Sequence, residues 1–181
     1  RAEQHVRELV TEQAALRQVA TLVARESSPD QLFAAVTDQV AHVFDVPIVT
    51  LVRYEPDGTA GVILGRWSEP GVHAEPVGAS ITMEGGPVHV VLRTGLPVRV
   101  DLDGDAVPAP LADRLRAQNV SSVVAAPIVV AGKTWGAVSV SLTEPHIFPP
   151  GSEIRVAEFT RLVSLAIANE EAREQLAASR A

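Results

Sequence analysis

The stretch Ser121-Ser-Val-Val-Ala-Ala-Pro-Ile-Val-Val-Ala-Gly-Lys-Thr-Trp-Gly-Ala-Val-Ser-Val-Ser141 decides the fold. Two strand-like runs flank the Gly-containing turn Ala131-Gly132-Lys133, so the segment reads as a β-hairpin. In the second run Val138, Val140 and Leu142 alternate with Ala137, Ser139 and Ser141. A period of two sends these sets to opposite faces of a sheet. The apolar set calls for helices to cover it. The Ala/Ser set packs poorly and suits a cavity wall, which points to binding or sensing.

Helices long enough to do the covering stand at both ends of the chain. Residues 3–25 carry neither Gly nor Pro, and Val6, Leu9, Leu16, Ala20 and Val23 follow a three-four spacing. Ser28-Pro29-Asp30-Gln31 is a capping box with proline at the first helical position, and Leu32, Val36, Val40 and Val43 form the stripe behind it. Residues 151–179 predict the closing helix, with Val156, Phe159, Val163 and Ile167 on the side facing the sheet.

Between these ends lie more strands. Residues 47–54 are a nearly continuous apolar run, the pattern of a strand buried on both faces. Pro56-Asp57-Gly58 turns the chain, and residues 60–67 return as a second strand. Residues 68–113 are rich in Gly, Pro and Asp. A short helix over 87–94, a strand over 97–101 and a short helix over 110–118 are the ordered pieces expected there. Strands in hairpins with long helices at the two ends specify an α+β fold around an antiparallel sheet.

Composition narrows the function. The chain of 181 residues suits one domain, and 46% hydrophobic content makes it globular. With no cysteine it has no disulfide, thiolate metal site, cysteine nucleophile or thioether-linked chromophore. A formal charge of −7 and 4% aromatic residues argue against a nucleic-acid partner. No apolar run has the length of a membrane span and no signal-type segment opens the chain, so a cytoplasmic setting without membrane contact is expected.

Motifs for familiar chemistry fail on inspection. Ala131-Gly132-Lys133-Thr134 ends like a phosphate loop, but Pro127 stands where the first glycine is required and a strand follows. His5, His42, His73, His89 and His146 lack metal-ligand spacing. Asp101, Asp103 and Asp105 resemble a calcium loop whose twelfth position is Ala112, which leaves a solvated turn. No Gly-x-Ser-x-Gly elbow exists, so no catalytic residue is assigned and no metal is expected.

The residues resemble a GAF domain. The likeness runs from Ser28 to Asn169 and is densest over Ser122-Val-Val-Ala-Ala-Pro127-Ile, Gly132, Trp135-Gly136-Ala-Val, Phe148 and Leu165-Ala-Ile-Ala-Asn169. Arg53-Tyr54-Glu55-Pro56-Asp57-Gly58, Gly65-Arg66-Trp67 and Val91-Leu92-Arg93-Thr94-Gly95-Leu96-Pro97 support it. The set is most similar to the sensory module of actinobacterial two-component sensor histidine kinases. The resemblance implies a PAS-related sheet of five to six strands in the order 2-1-5-4-3. It places long terminal helices on one face and short helices and loops over a pocket on the other. It also implies dimers and a signal passed to an attached output domain.

Several of the family's ligands find no counterpart. The chain lacks the bilin-binding cysteine and the Asn-Lys…Asp-Glu signature of cyclic-nucleotide binders, and Ser121 stands where haem-binding relatives carry their proximal histidine. No cofactor is therefore expected. Candidate ligand-binding residues are Thr50, Trp67, His89, Ser121, Ser139 and Ser141. His89 belongs to the short helix expected over the pocket. Trp67 either wedges at the sheet edge or walls the pocket, with Arg53, Arg66 or Arg99 offering charge to an acidic ligand. Thr50 either bonds locally or faces the same cavity as the serines, and the second reading is preferred.

A second set of positions suggests pairing. Leu9, Leu16 and Val23 are seven apart, and Leu162, Leu165, Asn169, Ala172 and Leu176 follow an a/d seam. Asn169 is either an inward polar residue that sets register or simply exposed. These seams predict a homodimer. The expected division is a signalling and dimerisation helix over 1–27, a GAF domain over 28–169 and the start of a C-terminal signalling helix over 170–181. Helices without caps at both ends suggest a piece of a longer protein. The expected function is a non-catalytic sensory input to a C-terminal kinase output domain, with an unknown small ligand. The alternative is a ligand-free dimerisation and relay domain.

Overall fold

The computed structural model describes residues 1–24, 28–104 and 107–181, without the side chains of residues 15, 16, 19, 20 and 22–24. The elements in chain order are α1 (Ala2–Ala24), α2 (Pro29–Phe44), β1 (Ile48–Tyr54), β2 (Ala60–Ser68), β3 (Ser80–Thr82), α3 (Pro87–Thr94), β4 (Val98–Asp101), α4 (Ala109–Ala117), β5 (Val120–Val130), β6 (Lys133–Thr143) and α5 (Ser152–Arg180). One six-stranded sheet runs β3-β2-β1-β6-β5-β4 with every pair antiparallel. Leaving out the three-residue edge strand β3, this is the order 2-1-5-4-3 that the resemblance implied. The sequence pattern gave no sign of β3, which is too short to show a period.

Local chemistry sets the boundaries. Ser28 Oγ accepts from the Gln31 N–H at 3.3 Å and Gln31 Oε1 accepts from the Ser28 N–H at 3.2 Å, so the capping box that begins α2 is complete. Ala131 and Gly132 both have positive φ, 52° and 77°, the backbone that joins two strands with the right-handed twist of a sheet. This turn sets Val130 opposite Lys133, and a one-residue register shift between Ile128 and Val129 then sets Ser139 against Ala125.

The alternation in β6 divides the molecule into two sides. Val138 and Val140 join Val49, Leu51, Val124, Ala126 and Ile128 on one face, buried against Leu32, Phe33, Val36 and Val40 of α2 and Val156, Phe159, Val163 and Ile167 of α5. Fully burying each such side chain contributes about 1.5–3 kcal/mol, so this layer carries most of the stability. β1 is buried along its first five residues, as its apolar run predicts.

Polar contacts fix the beginning of α5. Asp101 accepts from Ser122 Oγ at 2.7 Å and pairs with Arg99 at 3.1 Å, while Ser122 Oγ accepts from the Phe148 N–H at 3.1 Å. Arg99 also reaches Glu153 at 3.8 Å. Arg99 therefore serves the helix side and not the pocket. Asp101 belongs to this structural cluster and not to a solvated turn, and Asp105 lies outside the described residues.

The terminal helices are held at their surfaces. Arg155 of α5 pairs with Glu8 at 3.7 Å and Glu12 at 3.2 Å of α1, and Gln39 of α2 bonds Gln18. No described side chain of α1 is buried, and α5 has no buried residue beyond Ile167. Leu9, Leu162, Leu165 and Leu176 are exposed on the surface of the single chain, as is Asn169. The side chains of Leu16 and Val23 lie outside the described residues. No helix among the described residues is long and apolar enough to cross a membrane.

Candidate ligand cavity

The second face of the sheet carries a row of small and polar residues that crosses five strands. Register places Arg66 (β2) beside Thr50 (β1), Thr50 beside Ser139 (β6), Ser139 beside Ala125 (β5) and Ala125 beside Val98 (β4). Ser141 stands two residues further along β6 on the same face. The short side chains leave room that a row of Leu or Ile would fill.

Two short helices roof that room. Val91 of α3 is buried against Ala125 and Ala137, which seats the helix on the sheet. Leu111 and Leu115 of α4 pack towards Val123. The cavity beneath has a volume of about 120 Å³ and is bounded by Ile81, Met83, Val88, Leu111, Leu115 and Val123 on its apolar sides. Ser139 and Ser141 form its polar floor, with Glu75 and Arg114 at its edge. Neither serine hydroxyl has a hydrogen-bond partner among the described residues.

Arg66 stands on the same sheet face, beyond the residues that line the cavity. Its Nη1 donates to Thr50 Oγ1 at 3.0 Å, whereas its buried Nε has no partner. An unmade hydrogen bond of this kind costs about 1–3 kcal/mol. Burial pushes the guanidinium below its usual range, and the carboxylate of Glu75 opposes that shift.

The six candidate residues divide by what their side chains do. Ser139 and Ser141 line the cavity. Thr50 is buried on the same sheet face as the serines but does not line the cavity; its hydroxyl accepts from Arg66, the local-bond reading. Trp67 is a correction. It lies opposite Val49 on the helix side, edge-on to His42 with ring centroids 5.8 Å apart. Adjacent residues on a strand face opposite ways, so Arg66 at the cavity face sends Trp67 to the other. His89 does not line the cavity; its Nδ1 accepts from the Gly85 N–H at 3.0 Å and ties down the loop before α3. Ser121 does not line it either, because its hydroxyl donates to the carbonyls of Leu142 and His146. Arg53 is exposed at the end of β1.

Sequence reasoning missed Met83, Val88, Leu111, Arg114 and Leu115. All belong to the irregular segment, where no periodicity assigns a face. A second, more open cleft of about 630 Å³ lies beside Asp45, Glu144 and Arg155, and none of the candidate residues lines it. Among the described residues no cluster of His, Asp and Glu could hold a metal ion.

Tyr54 holds the roof to the sheet. Its hydroxyl donates to the Val88 carbonyl at 2.6 Å, and burial raises its pKa well above the ordinary value near 10. Tyr54→Phe is expected to cost about 1 kcal/mol and to speed amide exchange across α3. The pH dependence has a fixed sign. Above pH 10 the unfolded chain releases a proton that the folded chain keeps, so the tyrosine's contribution, full below pH 10, falls as pH rises. Denaturant titrations between pH 9 and 11 should show a shallower decline in the Phe variant.

An antiparallel sheet with long helices on one side and a roofed cavity on the other defines a sensor-type α+β module. The family profile for the GAF domain matches residues 28–167, and the chain belongs to that family. GAF domains are regulatory, sensory modules. The fold is similar to the phycoerythrobilin-bound GAF domain from a cyanobacterial phytochrome, with 16% identity, TM-score 0.77 and coverage of 91% of this chain and 98% of that one. The A. aeolicus nlh2 GAF domain in an inactive state is similar at 13% identity and TM-score 0.65, covering 92% and 99%. The GAF domain from Acinetobacter phosphoenolpyruvate-protein phosphotransferase matches at 18% identity and TM-score 0.66, covering 91% and 97%. No curated protein matches the chain in sequence.

Proposed function

We propose that this chain is the non-catalytic sensory input module of a cytoplasmic two-component histidine kinase of the actinobacterial type. A small ligand enters the cavity and changes the relative pose of paired terminal helices, which pass the signal to a C-terminal kinase output domain. The observation that carries this reading is the division of labour between the two faces of the sheet. One holds a roofed cavity with unpartnered polar groups, and the other seats α5, whose far end bears exposed leucines. In this reading residues 1–27 and 170–181 are signalling helices around a sensor core over 28–169, and the assembly is a homodimer.

The ligand is neither a bilin, nor haem, nor a cyclic nucleotide. Without cysteine a thioether-linked bilin has no attachment point. A cavity of about 120 Å³ is also well below the roughly 300–1,000 Å³ of pockets that enclose drug-sized ligands. Native mass spectrometry of the purified chain, with a thermal-shift screen of small metabolites, tests the reading. A mass adduct or a saturable rise in midpoint supports it; a bare mass and a flat screen sink it.

The second reading, a ligand-free dimerisation and relay domain, shares one observation with the first. Leu162, Leu165 and Leu176 on α5 and Val6, Leu9 and Val10 on α1 are all exposed in the single chain. Both readings need the seam. Asn169→Leu is expected to tighten the dimer about tenfold, since an inward Asn sets register at a cost in stability. Sedimentation equilibrium at several concentrations measures this, and an unchanged dissociation constant would place Asn169 outside the seam.

A further inference from the structure

We propose that the ligand is a short uncharged molecule of about four or five carbons, an alcohol or a ketone, seated with its oxygen on Ser139 and Ser141. This rests on the ligand-sensor reading above and specifies its chemistry. The floor selects the oxygen. Ser139 and Ser141 line the cavity, Ser141 is buried, and neither hydroxyl has a hydrogen-bond partner among the described residues. Residues two apart on one face of a strand stand about 6.5–7 Å apart at Cα, so one ligand oxygen between them can bond both hydroxyls. A serine hydroxyl both donates and accepts, and a hydroxyl or a carbonyl therefore completes the pair. Neighbouring polar side chains do not compete for these bonds. Thr50 is bound to Arg66, Tyr54 to the Val88 carbonyl and His89 to the Gly85 N–H.

The lining disfavours a charged ligand in either orientation. Its two charged residues, Glu75 and Arg114, are exposed at the edge and opposite in sign, and the other polar ones, Thr82 and Gln118, are neutral. Arg114 is also engaged with the Thr82 carbonyl at 3.4 Å. A carboxylate or an ammonium on the floor would bury its charge with only hydroxyls beside it. Turned round, an anion would meet Arg114 or a cation Glu75, but the tail would then cover the serines and leave their hydrogen bonds unmade. A hydrocarbon without oxygen has the same fault. The walls, with Ile81, Met83, Val88, Leu111 and Leu115, suit a short alkyl chain. The volume of about 120 Å³ sets its length, since an apolar cavity of about 150 Å³ holds one benzene.

The test titrates the full chain with butan-1-ol, 1-chlorobutane, butanoate and butylammonium at constant ionic strength, following backbone amide shifts of Val88, Leu111 and Val123. Butan-1-ol is expected to saturate these shifts, 1-chlorobutane to bind about tenfold more weakly, and the two ions not to bind. The double variant Ser139→Ala, Ser141→Ala should bind butan-1-ol and 1-chlorobutane within about twofold of each other. Each single serine variant should narrow the gap about threefold, which supplies the same test should the double variant fail to fold. Glu75→Gln should change the affinity for butan-1-ol by less than about twofold, because its charge takes no part. If 1-chlorobutane or either ion binds as tightly as butan-1-ol, or the serine variants keep the full preference for the alcohol, the neutral-oxygen assignment is overturned while the cavity stands as a ligand site. If none of the four probes shifts the cavity amides, the ligand-sensor reading falls and takes the assignment with it.

Discussion

Phe159→Ala is expected to destabilise the domain by about 3–5 kcal/mol and to lower its thermal midpoint by roughly 6–20 °C. Phe159 is buried in the layer between α5 and the sheet, where its ring meets Phe44 edge-on with centroids 5.9 Å apart. The guanidinium of Arg155, which also binds Glu8 and Glu12, lies 5.4 Å from the centroid of the Phe44 ring. Truncation therefore empties the place where α5, α2 and, through Arg155, α1 are joined. The cavity on the opposite face shares none of these contacts. Calorimetry should record the lowered midpoint. At a temperature where the variant is still folded, ligand affinity should change by less than about twofold. A loss below about 1 kcal/mol would show that the neighbours collapse into the void.

Gly136→Ala is expected to cost about 3 kcal/mol, at the upper end for adding one methyl group to a packed site. Gly136 pairs with Arg53 in β1 and Ile128 in β5, at the centre of three neighbouring strands. A Cβ at this position would lie 2.2 Å from the carbonyl oxygen of Val52. That oxygen belongs to a strand bonded on both edges, so it cannot retreat as a flexible side chain would. Gly104→Ala provides the control, because a Cβ there meets nothing within 4 Å, and its effect should stay within about 0.5 kcal/mol. Equal midpoints in urea for the two variants would overturn the account of β1 and β6 approaching too closely for a side chain.

How far the fold could be read from the chain depends on where its signals are local. The alternation of Val138 and Val140 with Ala137, Ser139 and Ser141 placed the hairpin, its two faces and two residues of the cavity floor. The box at Ser28 marked where α2 begins, since capping is a choice made within one turn. The strand order came with the family resemblance and not from any local pattern.

Other features were hidden for physical reasons. The roof residues are brought to the cavity by tertiary packing of an aperiodic segment, so nothing in their spacing shows which way they point. Ser121 and His89 hydrogen-bond to backbone groups that only the folded loops bring near. Trp67 is different, because the period of two in β2 already forbade it from sharing a face with Arg66. A polar residue that directly follows or precedes a large aromatic one in a strand is a usable signal for opposite roles.

The layer between the sheet and the long helices contains no residue from 69–123, whereas 11 of the 14 residues around the cavity come from 75–118. Most of the cavity's lining is thus encoded in one contiguous cassette, inserted between two hairpins that supply the scaffold. A single segmental exchange could change what is recognised while the helix-facing layer kept every one of its side chains. Diversification of ligand and preservation of output would then proceed independently along the same gene.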